Sequence, residues 1–137
     1  MSTALYSFSS ETLAELRKFR FASARVDKMQ AAIYVIDKES YEVKRDDTEI
    51  IDSVEDLIEE LPDNTPRYIV LSYPFKLDDG RLKTPLVLLY WIPPTSGQES
   101  RMLYAGALEQ FRDKAGVSRL IKVEDEDDFE DLQEQLL

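Results

Sequence analysis

A chain of 137 residues, 43% of them hydrophobic, has the size and apolar content for one ordinary core. Its 28 acidic against 17 basic side chains leave a net charge of −11, the wrong sign for a protein that neutralises nucleic-acid phosphates or an anionic membrane. The absence of cysteine and histidine removes disulfides, thiolates, Cys- or His-based metal sites and every Ser-His or Cys-His nucleophile.

The longest apolar run, Leu86 to Ile92, is far short of the roughly 20 residues a membrane span needs. The N-terminus lacks the charged start and apolar core of a signal peptide. The expectation is a soluble, cytoplasmic, single domain over residues 1–137, monomeric and without a cofactor or bound metal.

In chain order, Ser9 or Ser10 caps a first helix with Glu11 early in it. Leu13, Leu16 and Phe19 or Phe21 form its apolar stripe. Its end is basic, with Arg17, Lys18, Arg20, Arg25 and Lys28 opposed only by Asp27. Cations favour a helix C-terminus, but five on so acidic a chain point to contact with an acidic protein surface. Ala31 to Ile36 is apolar throughout and reads as a strand covered on both faces. After the turn Asp37 to Ser40, Tyr41 to Arg45 alternates as a half-exposed edge strand.

Nine carboxylates and no cation lie between Asp46 and Asp63, a solvated face in which Ser53 caps a short helix from Val54 to Leu61, with Asp56 at the capping-box position. Pro62 to Pro66 is a loop, and Arg67 to Tyr73 a second fully apolar strand. Pro74 to Lys83 is a hairpin arm signalled by Asp79-Gly80. Pro85 to Ile92 is the third run buried on both faces.

Gln98 to Gly116 is the long helix, closed by Gly116 as a C′ residue. At roughly 100° per residue, Leu103, Tyr104, Ala107, Leu108, Phe111 and Ala115 share one side. Met102, Ala105 and Gly106 fall on the other, among Arg101, Glu109, Arg112 and Asp113. An interior glycine costs about 1 kcal/mol relative to alanine, and an outward methionine buries nothing in a monomer. A flat, soft ridge rimmed by charge suits insertion into another protein's groove.

Arg119 to Val123 is a last strand, parallel to the third run across a right-handed helical crossover. Phe129, Leu132, Leu136 and Leu137 give an acidic terminal helix one apolar edge. The architecture expected is an α/β, three-layer domain with a mixed five-stranded sheet and helices on both faces. An enzyme is not expected, because the carboxylates stand in solvated blocks and no Gly-rich phosphate loop is present.

The segments Leu16-Arg17-Lys18-Phe19-Arg20-Phe21, Ala31-Ala32-Ile33, Glu60-Leu61-Pro62, Pro66-Arg67-Tyr68-Ile69-Val70 with Ser72-Tyr73, Asp78-Asp79-Gly80-Arg81 and Met102-Leu103-Tyr104-Ala105-Gly106 resemble the actin-depolymerizing factor homology family, in its glia maturation factor branch. The likeness runs in register over essentially the whole chain. It implies binding rather than catalysis, with the long helix entering a cleft of an actin-like fold.

Depolymerizing factors of this fold usually carry Ser-Ser-Lys-Asp after the helix tyrosine. Here Ala105-Gly106-Ala107-Leu108-Glu109 follows it, and no lysine comes before Lys114. A carboxylate facing an acidic actin cleft opposes docking. The resemblance therefore implies a target other than actin, the groove of the actin-related subunit 2 in the actin-related protein 2/3 complex. It also implies suppressed branched nucleation, dissociation of filament branches, weak or no binding to actin itself, and a place in the cortical actin cytoskeleton. The alternative within the same fold is a cofilin-like severing or monomer-binding factor.

By the same resemblance, the partner-binding helix would use Arg101, Met102, Ala105, Gly106, Glu109 and Arg112. A second partner surface would use Arg17, Lys18 and Arg20 with Lys76, Asp78, Asp79 and Arg81. Ser2, beside the initiator methionine, resembles the regulatory phosphosite of the wider family.

Overall fold

The computed structural model of the protein describes residues 5–46 and 49–136. Strand β1 (Ser7–Phe8) leads into helix α1 (Ser10–Ser23), and β2 (Gln30–Ile36) and β3 (Glu42–Arg45) follow. Helix α2 (Val54–Glu60), β4 (Arg67–Ser72), the small strands β5 (Phe75–Lys76) and β6 (Leu82–Lys83), and β7 (Leu86–Trp91) come next. Helix α3 (Gln98–Ala115), β8 (Arg119–Val123), a single 3-10 turn (Glu126–Phe129) and α4 (Leu132–Leu136) complete the order.

The caps foreseen from sequence form. The Ser9 hydroxyl accepts the Thr12 amide at 3.0 Å, Ser53 accepts the Asp56 amide at 3.2 Å, and Gly116 ends α3 with φ +70°. At that left-handed position its amide donates to the carbonyls of Arg112 and Asp113, both at 3.1 Å.

The main sheet has six strands in the order β1-β3-β2-β4-β7-β8. The central four pair antiparallel, and both edge pairs, β1 with β3 and β7 with β8, are parallel. The expected five strands are thus corrected to six, and β3 is no longer an edge. The extra strand has only two residues and no alternation to read. It exists through pairing, with the Ser7 amide donating to the Tyr41 carbonyl at 3.0 Å. The terminal helix is corrected as well. It is divided because Asp125 caps the 3-10 turn while the Asp128 carboxylate reaches back to the Glu124 and Asp125 amides at 2.9 and 3.2 Å. Leu137 lies outside the described residues.

Alternate residues of the strands feed two cores. On one face Ala32, Tyr34, Tyr68, Val70, Leu88 and Tyr90 pack under α1 and α3, which contribute Leu16, Phe19, Tyr104, Ala107 and Phe111. On the other, Ile33, Ile69, Leu71, Val87, Leu89 and Trp91 pack under Leu57 of α2 and under Phe129, Leu132 and Leu136. This is the expected three-layer arrangement. Within it the strand registers define two ends. Gln30, Ser72, Leu86 and Arg119 lie at one, and Ile36, Arg67, Trp91 and Val123 at the other.

Candidate partner-binding surface

Three tyrosines fix the first half of α3. The Tyr68 hydroxyl donates to the Tyr104 carbonyl, the Tyr104 hydroxyl accepts the Ile36 amide at 3.0 Å, and the Tyr6 hydroxyl donates to the Leu103 carbonyl at 2.9 Å. Phe111, two turns on from Tyr104, stacks on Tyr68 with ring centroids 4.6 Å apart. Burial pushes the Tyr68 hydroxyl far above the ordinary tyrosine range, and it pushes Tyr34, below the same helix, up to about 12. The Tyr68 hydroxyl is thus held as a neutral donor to α3, whereas the Tyr34 hydroxyl is buried without a hydrogen-bond partner among the described residues.

With its inner face committed, α3 turns a ridge outward. Met102 is 67% exposed, and Ala105, Gly106 and Glu109 are exposed beside it. The flanking arginines are partly committed to the protein itself. Arg101 is half-buried, with Nη1 3.4 Å from the Pro93 carbonyl. Arg112 reaches Glu109 at 3.4 Å and also donates to the Ser118 carbonyl. Glu109 is therefore paired within its own helix, but at 78% side-chain exposure it still presents its carboxylate to solvent.

Gly106 is exposed, as its helical phase requires, yet it does not border open space. A Cβ there would run into the Tyr6 hydroxyl. Sequence reasoning missed Tyr6, which lies 97 positions from its acceptor; the costly glycine was its only trace. Tyr6 also lies 5.9 Å from the Tyr41 ring. Tyr41 holds a left-handed backbone, φ +61°, at a position where asparagine or glycine would be expected. Leu5, Tyr6, Lys38 and Tyr41 face Met102 and Leu103 across a groove of about 310 Å³. The N-terminal segment thus supplies one wall of the surface and α3 the other.

The residues assigned to a second surface cluster at the opposite end of the sheet but on different layers. Arg17 and Lys18 are exposed on α1, whereas Arg20 is half-buried, its guanidinium filling the space beside Gly116 and lying 5.2 Å from the Phe21 ring. The hairpin is rooted on the other face by buried Phe75 and by Lys83, whose ammonium donates to the Leu136 carbonyl at 3.3 Å. Lys76, Asp78, Asp79 and Arg81 project from it into solvent. At its tip Gly80 adopts φ +88°, and Arg81 bonds Asp79 at 2.7 Å. The two parts share an end because Gln30, after α1, pairs with Ser72, just before the hairpin. Ser2 lies outside the described residues.

No group of His, Cys, Asp and Glu that could hold a metal occurs among the described residues, and no helix among them is long and apolar enough to cross a membrane.

Residues 5–137 match the family of cofilin/tropomyosin-type actin-binding proteins. The chain is 46% identical to Protein AIM7 of Saccharomyces cerevisiae, covering 96% of each. It is 33% identical to human glia maturation factor beta over 88% of this chain and 84% of that one. The solution structure of glia maturation factor from Caenorhabditis elegans superposes with a TM-score of 0.78 at 34% identity, covering 98% of both chains. At 19% identity a cofilin from Streptomyces griseoflavus shares the fold, with a TM-score of 0.75 over 95% of this chain and 96% of its own. The α1–α3 layer, the mixed sheet and the whole-chain identity agree: this protein belongs to the cofilin/tropomyosin-type actin-binding family and is a homologue of glia maturation factor.

Proposed function

We propose that this protein binds the actin-related protein 2/3 complex, inhibits branched actin nucleation and promotes dissociation of filament branches. The observation that carries the reading is the α3 ridge. Met102, 67% exposed, stands on a helix whose inner face is bonded to its own sheet, and it is followed by exposed Ala105 and Glu109 without an intervening lysine. A polarizable, unbranched side chain beside a small residue can enter an apolar cleft at low steric cost. Glu109 disfavours an acidic actin cleft, which favours the groove of the actin-related subunit. The exposed cations Arg17, Lys18, Lys76 and Arg81 at the other end supply a second, weaker contact. Such a role places the protein in the cytoplasm at the cortical actin network, with no catalytic step.

The test is a pull-down comparing bare actin filaments with the purified seven-subunit complex at physiological salt. Retention on the complex and not on filaments is the expected outcome. Strong binding to bare filaments would instead assign a cofilin-like severing or monomer-binding role.

A further inference from the structure

We propose that Tyr6 and Gly106 form a latch that seats the N-terminal segment on α3 and thereby sets where Leu5 and Met102 stand for a partner. The latch itself is a property of this chain alone; its consequence for binding rests on the docking role of α3 given above.

Glycine is the poorest residue for a helix interior after proline, yet position 106 lies in the middle of the 18-residue α3. The structure gives the reason. The Tyr6 side chain crosses the helix there, and its hydroxyl occupies the volume a Cβ would need. That hydroxyl is held in place by the Leu103 carbonyl at 2.9 Å. From behind, the ring rests on Tyr41, whose left-handed backbone carries the carbonyl that receives the Ser7 amide at 3.0 Å. Ring, hydroxyl and strand β1 are therefore tied to α3 and to the β2–β3 turn together. Leu5, 54% exposed, immediately precedes Tyr6 and faces Met102 across the groove. Its position relative to the ridge is fixed by the residue that needs Gly106 to be bare.

The atoms behind the hydroxyl make the idea testable. Once the hydroxyl is removed, the first ring atom a new Cβ would meet lies at 3.4 Å, the margin of ordinary contact. Gly106→Ala should therefore be harmful beside a tyrosine and helpful beside a phenylalanine at position 6. Tyr6→Phe should keep the ring on Tyr41. The Leu103 carbonyl it abandons lies inside α3, where the helix supplies an amide donor.

The experiment compares the full-length wild type, Gly106→Ala, Tyr6→Phe and the double variant. Three readouts are followed: the thermal midpoint, the methyl NMR resonance of Met102, and affinity for the purified actin-related protein 2/3 complex at a temperature where all four are folded. Gly106→Ala should lower the midpoint in the wild-type background and raise it by about 3 °C in the Tyr6→Phe background, where only its better helix propensity remains. The Met102 methyl should shift in Gly106→Ala and return in the double variant. Affinity should fall several-fold in Gly106→Ala and recover only in part in the double, where the ring is reseated but the added methyl stays on the helix.

A change of the same sign in both backgrounds overturns the latch. A sign reversal with an unmoved Met102 methyl overturns its positioning role. Should the wild type fail to bind the complex, the docking reading falls, while the midpoints and the methyl still decide the latch.

Discussion

The two faces of the sheet are held by different physics. Under α1 and α3 lie Tyr34, Tyr68, Tyr90, Tyr104 and Phe111, and hydroxyls from Tyr6 and Tyr68 donate to successive carbonyls of one helical turn. Under α2 and the C-terminal elements the core is mainly aliphatic, with Phe75, Trp91 and Phe129. The short helices there are fixed mostly by burial and by caps. Burial has no direction, so it tolerates a broken, acidic outer layer. A docking ridge must be presented at one rotation and one height, and hydrogen bonds supply that. The other face has directional bonds too, from Trp91 to the Pro62 carbonyl at 2.7 Å and from Lys83 to the Leu136 carbonyl at 3.3 Å. Neither orients a long helix as the tyrosines orient α3.

Raising the pH should strike this difference hardest, because it acts on several buried hydroxyls at once. Tyr34, Tyr68 and Tyr90 have pKa values lifted above 10.0, first of all by burial. The unfolded chain releases these protons near pH 10 and the folded one later. Stability is therefore complete below pH 10 and lost as pH rises through the folded values, such as about 12 for Tyr34. Urea midpoints measured from pH 8 to 12 should fall steeply above 10. The fall should be shallower in Tyr34→Phe with Tyr90→Phe; an unchanged slope would move the cause elsewhere.

Next in size is Phe111→Ala, which empties the ring contacts with Phe8, Tyr34 and Tyr68 and should cost about 3–5 kcal/mol in urea unfolding. Tyr104→Phe leaves no cavity but strands the Ile36 amide, for an expected loss of about 1–3 kcal/mol. A loss indistinguishable from that of a surface change would mean that burial alone locates α3.

Met102→Ala separates folding from docking. Stability should stay within about 0.5 kcal/mol, while affinity for the complex drops at least tenfold, about 1.4 kcal/mol. Full affinity in this variant would remove the ridge as the anchor. Smallest is Arg17→Glu with Lys18→Glu. It should weaken binding mainly at low ionic strength, since exposed charges are screened over about 10 Å at 0.1 M salt. Equal loss at low and high salt would argue against a charged contact there.

Much of this was legible beforehand. The helix at 98–115 could be read because Gly116 ends it in a left-handed conformation and its apolar residues keep one phase. The three inner strands were readable because both of their faces are apolar. The outward position of Met102 followed from the same phase. Strand β1 was not readable, since two residues have no period and their pairing with β3 is tertiary. The reason for Gly106 was hidden in the same way. A glycine states that something approaches, and only coordinates show that the visitor is Tyr6. Nor did the chain announce Tyr41, which sits where Asn or Gly would have marked a left-handed turn. The basic end was visible as composition, but its division between two layers depends on Phe75 and Lys83.

The Arg20 guanidinium, wedged where a side chain on residue 116 would go, keys the last turn of one long helix to that of the other. Charge-scanning of this end must reckon with that joint. Reversing Arg20 would loosen a hinge of the scaffold along with any electrostatic attraction, whereas Arg17 and Lys18, free in solvent, report the attraction by itself.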